Sequence, residues 1–147
     1  MTKGITFDWI GVLSAGSNGG VYNFAEKVLQ RLKNSYKLGL VSLAGFGNKR
    51  RMQGTDESGL KKYFDSIVID TTKTSQHYLR CMSEMNVSPL QTLIIDDRTV
   101  RGIKIGNEIG CQTCWVMEDK YLDEIPNEET EEPTFRIKSI KDIFEVI

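Results

Sequence analysis

A chain of 147 residues has the length of one domain. With 39% hydrophobic and 27% charged residues, it has the make-up of a globular protein that buries a core. Its 19 basic and 20 acidic side chains nearly cancel, which excludes a global pull toward nucleic acid or an anionic membrane. Three cysteines (Cys81, Cys111, Cys114) are too few for a disulfide framework. No leader-like segment opens the chain, and no apolar run approaches the ~20 residues of a membrane helix. A cytoplasmic setting is the expectation.

Short apolar runs alternate with helical patterns along the chain. Ile5-Thr6-Phe7 is a buried strand that ends at Asp8. Val21, Phe24, Val28 and Leu32 recur at helical spacing and predict a helix over 21–33. Leu38-Gly39-Leu40-Val41 is a second strand, ending at Ser42. The glycine-rich stretch 45–59 reads as a loop with short helices, and Ile67-Val68-Ile69 as a third strand followed by Lys73. Tyr78, Leu79, Met82 and Met85 form the apolar face of a helix over 74–85, which Pro89 follows as a stop signal. Leu93-Ile94-Ile95 is a fourth strand, ending at Asp96-Asp97.

Val100, Ile103 and Ile105 then predict a helix closed by Gly110. Cys114-Trp115-Val116 belongs to a fifth strand, Phe135-Arg136-Ile137 to a sixth, and 140–147 to a terminal helix. Residues 119–133 read as an acidic linker to that last strand and helix, within a single domain over 1–147. Continuous apolar strands separated by helices imply an α/β fold, a doubly wound parallel sheet with helices on both faces. Ligands of such sheets bind beyond the carboxyl ends of the strands. There the sequence puts three carboxylates, a hydroxyl and a lysine, a set suited to a hard cation such as Mg²⁺ and to phosphoryl oxygens.

Other features carry less. Gly16-Ser17-Asn18-Gly19-Gly20 lacks the Gly-Lys-[Ser/Thr] ending of a P-loop and reads as a flap. Lys49-Arg50-Arg51 could attract an anion, but a solvated helix face is the preferred reading. Cys111 and Cys114 form a lone C-x-x-C with no second pair, so a structural role is expected rather than zinc. His77, the only histidine, reads as plain surface.

In its strand-end residues the chain resembles the haloacid dehalogenase superfamily. Phe7-Asp8-Trp9-Ile10-Gly11-Val12-Leu13 is similar to that family's first motif, Asp-x-Asp-Gly-[Thr/Val]-[Leu/Val]. Ser42 matches the second motif, Lys73 the third, and Ile95-Asp96-Asp97 the fourth. The resemblance implies a Rossmann-like core of five to six strands in the order 3-2-1-4-5. It implies Asp8 as nucleophile, forming an aspartyl-phosphate, with Ser42 and Lys73 binding the phosphoryl group. Mg²⁺ would be held by Asp8, the Ile10 backbone carbonyl, Asp96 and Asp97.

Ile10 departs from the family pattern, because the phosphatases carry a second Asp there as general acid and base. Ile keeps the carbonyl but transfers no proton, so a phosphohydrolase or phosphotransferase with reduced turnover is expected. A catalytically silent metal- or phosphate-binding or protein-interaction domain is the alternative. A receiver domain would place its acidic pair after strand one, which excludes that reading. The spacing also leaves no room for an inserted cap. Capless relatives take large substrates or close their site by oligomerising, so a large phosphorylated substrate or a homo-oligomer is the corollary.

Overall fold

A computed structural model describes residues 1–16, 20–44 and 48–147, without the side chains of Asn48 and Asp119. Its sheet has six strands: β1 (Gly4–Phe7), β2 (Lys37–Leu43), β3 (Ser66–Asp70), β4 (Thr92–Asp96), β5 (Gln112–Val116) and β6 (Phe135–Ile137). All pair in parallel, in the order β3-β2-β1-β4-β5-β6. This is the expected order with the sixth strand added beyond β5.

The two central strands, β1 and β4, are buried along their whole length, which is why they are continuous apolar runs. Their side chains still alternate. Ile5, Phe7, Leu38, Leu40, Leu93 and Ile95 face one layer, with α1 (Ala25–Lys33) and the terminal turn at Ile140 and Ile143. Val41, Val68 and Ile94 face the other, with α3 (Ser75–Met85) and α4 (Lys104–Ile109). Period-two alternation thus feeds two cores, one on each face of the sheet.

Between β1 and β2 the described residues hold a folded-back loop and α1; between β2 and β3 they hold α2 (Asn48–Glu57) and a 3₁₀ turn at Lys61–Tyr63. Among the described residues neither connection holds an inserted domain. No described helix is long and apolar enough to cross a membrane.

Several elements differ from expectation. The first helix starts at Ala25 rather than 21, because Val21 pairs antiparallel with Ser14 and the Tyr22 N–H donates to the Leu13 carbonyl at 3.0 Å. Of the expected flap and glycine-rich loop, residues 17–19 and 45–47 lie outside the described residues. The 99–110 helix begins with a π turn (Thr99–Ile103) before α4, and Gly110 closes it at φ +90°. The terminal helix is 3₁₀ over Ile140–Glu145.

The acidic stretch 119–133 keeps many of its side chains exposed, but its later part is tied to α4. Asn107 Nδ2 donates to the carbonyls of Thr130 and Glu132, each at 2.8 Å. Lys104 pairs with Glu128, and buried Glu131 accepts from the Asn127 N–H at 2.9 Å.

Candidate functional site

The strand order reverses between β1 and β4, and the crevice beyond that point is where open α/β sheets bind ligands. Asp8 follows β1 directly; its N–H donates to the Ile95 carbonyl at 3.0 Å, so the ladder itself fixes its position. Asp96 ends β4 and is fully buried; Asp97 comes next and is 2% exposed. Carboxylate oxygens of all three lie within 4.8 Å of one another.

Backbone shape allows this crowding. A Cβ on Gly102, in the π turn, would sit 2.1 Å from Asp96 Oδ2, and one on Gly11 would sit 2.2 Å from Asp97 Oδ2. Gly11 also has φ +83°, a conformation side chains rarely adopt. The two glycines therefore let main chain press against both carboxylates. The Arg98 N–H donates to Asp96 Oδ1 at 2.9 Å, the Tyr78 hydroxyl reaches Asp96 Oδ2 at 3.4 Å, and Trp115 Nε1 holds the Asp97 carbonyl at 3.0 Å.

Lys73 arrives from the loop after β3 and is 3% exposed. Its Nζ donates to Asp8 Oδ1 at 3.1 Å and Asp96 Oδ2 at 2.8 Å. His77 sets that loop. Its Nδ1 takes the Thr74 N–H at 3.0 Å as half of a capping box, and its Nε2 meets Asp70 Oδ2 at 2.9 Å. It is a tie between β3 and α3, not plain surface.

The electrostatics show what the cluster lacks. Burial would pull the Lys73 ammonium down, but Asp8 and Asp96 hold it well above its ordinary value. Burial raises Asp8, with Lys73 opposing. Burial, then the charges of Asp8 and Asp96, push Asp97 up to about 9. Three carboxylates facing one ammonium in a largely buried crevice need a proton or more cationic charge. The donors are all oxygen, which fits a hard divalent cation. No other cluster of potential metal ligands occurs among the described residues.

Ser42 is buried near the end of β2, and its Oγ accepts from Arg51 Nη1 at 2.7 Å. Arg51, on α2, also approaches the Leu43 carbonyl at 3.4 Å. A pocket of about 120 Å³ is lined by Asp8, Lys73, Asp96, Asp97 and Arg51, with Ile10 and Leu43 as apolar wall; Ser42 is not on that wall. Arg51 thus turns inward, which corrects the solvated-face reading at that one position; Lys49 and Arg50 are exposed. The place of Arg51 one to two turns after the second strand is the only signal the sequence offered. Burial lowers the guanidinium and Asp8 opposes this.

The cysteines stand apart. Burial pushes Cys81 up to about 11 and both Cys111 and Cys114 up to about 12, as suits inert core thiols.

Comparison with known proteins follows the same lines. A family model for haloacid dehalogenase-like hydrolases matches residues 17–116, a stretch that holds Ser42, Lys73, Asp96 and Asp97 and begins beyond Asp8 and Ile10. An uncharacterized protein from Listeria monocytogenes serotype 4b superposes with TM-score 0.81 at 12% identity, covering 98% of this chain and 96% of that one. The magnesium-bound YfnB of Bacillus subtilis superposes at 0.69 with 23% identity, covering 86% of this chain and 55% of its own. A HAD phosphatase from Thermococcus onnurineus gives 0.68 at 17% identity, covering 86% and 57%. The chain therefore spans little more than half of those last two. No curated protein matches it.

Proposed function

We propose, from the premise that this chain belongs to the haloacid dehalogenase-like hydrolase family, that it is a Mg²⁺-dependent phosphohydrolase or phosphotransferase acting through Asp8. The observation that carries this reading is Lys73, buried between Asp8 and Asp96 beside a third carboxylate. An Asp8 oxygen attacks phosphorus, the bond from phosphorus to the leaving group breaks, and water later cleaves the aspartyl-phosphate. Lys73 orients the Asp8 carboxylate for attack and offsets phosphoryl charge. Arg51, backed by the Ser42 hydroxyl, offers donors to the phosphoryl oxygens from the other side. Mg²⁺ would be held by Asp8, Asp96, Asp97 and the Ile10 carbonyl, and would supply charge neutralisation. Residues 1–147 act as one unit, with the later part of the 119–133 stretch bracing α4.

Ile10 lines the pocket and carries no proton, so turnover is slow, by about 10²–10⁴-fold on the usual scale of general acid–base catalysis. The same residue favours a second reading, a silent domain that binds metal and phosphate. Assays of phosphomonoesters with Mg²⁺ separate the two. Wild-type hydrolysis that vanishes in Asp8→Asn supports the enzyme. Activity that emerges only in Ile10→Asp supports the silent domain. No activity in either, with no Mg²⁺ or phosphate binding, removes both.

A further inference from the structure

The pocket that holds Asp8, Lys73 and the acidic pair is small. Its volume of about 120 Å³ falls below the ~300 Å³ of an ordinary ligand site. It has room for a phosphoryl group, but not for the molecule that carries one. The body of a substrate has to lie outside it, and a larger space adjoins. A cleft of about 1330 Å³ opens between the loop after β1 and α2. Ile10 and Arg51 line both spaces, so the cleft continues from the reacting pocket in the direction a leaving group would take.

The two sides of the cleft differ in kind. On the β1 side Trp9, Ile10 and Val21 are apolar, and the bridges of Ile10 and Val21 to Ser14 fix that wall. On the α2 side Lys49, Arg50 and Arg51 bring three cations. Among the described residues the lining sets one carboxylate against them, Glu57, which accepts from Gln53 Nε2 at 2.9 Å. Arg51 is taken up at the inner end, where its Nη1 donates to Ser42 Oγ at 2.7 Å and it faces the phosphoryl position. Lys49 and Arg50 are exposed to the cleft and serve neither the core nor the chemistry at Asp8. A surplus of one sign in a concave space with apolar walls focuses its field on whatever enters.

We propose, building on the phosphoryl-transfer reading above, that the substrate is a phosphomonoester whose leaving group carries a second anionic group. The body of the leaving group rests on Trp9, Ile10 and Val21, and Lys49 and Arg50 hold the second anion. Sugar bisphosphates and nucleoside bisphosphates share this chemistry. Lys49 and Arg50 act in binding alone, and no bond or proton changes place at either.

The test is calorimetric titration of the full chain in excess Mg²⁺ with two matched pairs of ligands. One is adenosine 3′,5′-bisphosphate against adenosine 5′-monophosphate; the other is fructose 1,6-bisphosphate against fructose 6-phosphate. Phosphorus NMR after each titration checks that the ligand is intact. In at least one pair the bisphosphate should bind tighter by about tenfold or more, the worth of one hydrogen bond between charged groups. The pair that shows this identifies the body as nucleoside or sugar. A ligand with two equivalent ends gains only about twofold by statistics, so a ratio no greater than that in both pairs overturns the proposal. Lys49→Gln combined with Arg50→Gln should remove most of the preference. Glu57→Gln, which deletes the opposing carboxylate, should enlarge it. A preference undiminished in the double variant overturns the proposal, as does one that shrinks in Glu57→Gln. In each of these cases, binding of the monophosphates leaves the reading at Asp8 standing. Absence of binding by all four ligands and by inorganic phosphate defeats that reading as well.

Discussion

Replacing Asp97 by Asn should stabilise the metal-free protein. In the folded chain burial, Asp8 and Asp96 push Asp97 up to about 9, against an ordinary 3.8. At neutral pH the folded state keeps that carboxyl protonated, whereas the unfolded chain releases the proton. Each pH unit above the ordinary value costs the fold about 1.4 kcal/mol until the folded value is passed. At pH 7 the penalty is therefore about 4 kcal/mol, and near pH 4 it vanishes. The sign follows from a raised folded value: the stability is present at low pH and lost as pH rises toward 9. Asn carries no charge and keeps a donor toward Asp96. Metal-free Asp97→Asn should therefore melt higher at pH 7, by on the order of 10 °C at most, and should match wild type near pH 4. Thermal unfolding followed by circular dichroism in a chelator, from pH 4 to 8, reads this directly. A variant that melts lower at pH 7, or whose difference from wild type ignores pH, would show that the three carboxylates do not oppose one another. Adding Mg²⁺ should raise the wild-type melting temperature, and the variant's far less.

Further outcomes follow from the same contacts. Lys73→Met leaves Asp8 and Asp96 without their shared ammonium, so denaturant unfolding at neutral pH should show a loss of about 3–5 kcal/mol. Acid should restore part of it as the carboxylates protonate. Gly102→Ala drives a methyl into Asp96 and should cost about 1–3 kcal/mol of stability. Calorimetric Mg²⁺ titration of that variant should show weakened binding; unchanged affinity would mean the π turn does not position Asp96. Cys81, Cys111 and Cys114, raised to about 11, 12 and 12, should resist iodoacetamide at pH 8 in the folded chain and react once it is unfolded. Mass spectrometry counts the adducts.

Much of the fold was legible in local pattern. The buried runs at 5–7, 38–41 and 93–95 identified their own strands because inner parallel strands are apolar on both faces, while 67–69 kept its apolar run on the edge strand β3, where Val68 is buried and Ile67 and Ile69 are half-buried. The helix stop at Gly110 was legible because an αL residue there favours glycine. The start of α1 was not: Val21 fits the helical period as well as Val28 does, and only its pairing with Ser14 takes it out of the helix. The ties of the 119–133 stretch were hidden because its charge suggested solvent, while its partners Lys104, Asn107 and Arg98 lie 23 to 26 positions away in chain order.

By itself the sequence determined which residues stand at strand ends, because strand burial and strand termination are local properties of apolar runs. It thereby named Asp8, Ser42, Lys73, Asp96 and Asp97, and it exposed Ile10 as the departure from the family pattern. Tertiary structure decided which of these meet. Parallel pairing of β1 with β4 brings Asp8 beside Asp96 and Asp97 across 88 positions of chain. A loop tied by His77 carries Lys73 between them, and α2 turns Arg51 inward onto Ser42. Charge partnership acts through space at a few ångströms, whereas periodicity records only which face of its own element a side chain occupies. The local pattern could therefore place each acid at the end of its strand, but the crowding of three carboxylates around one ammonium exists only in the folded chain.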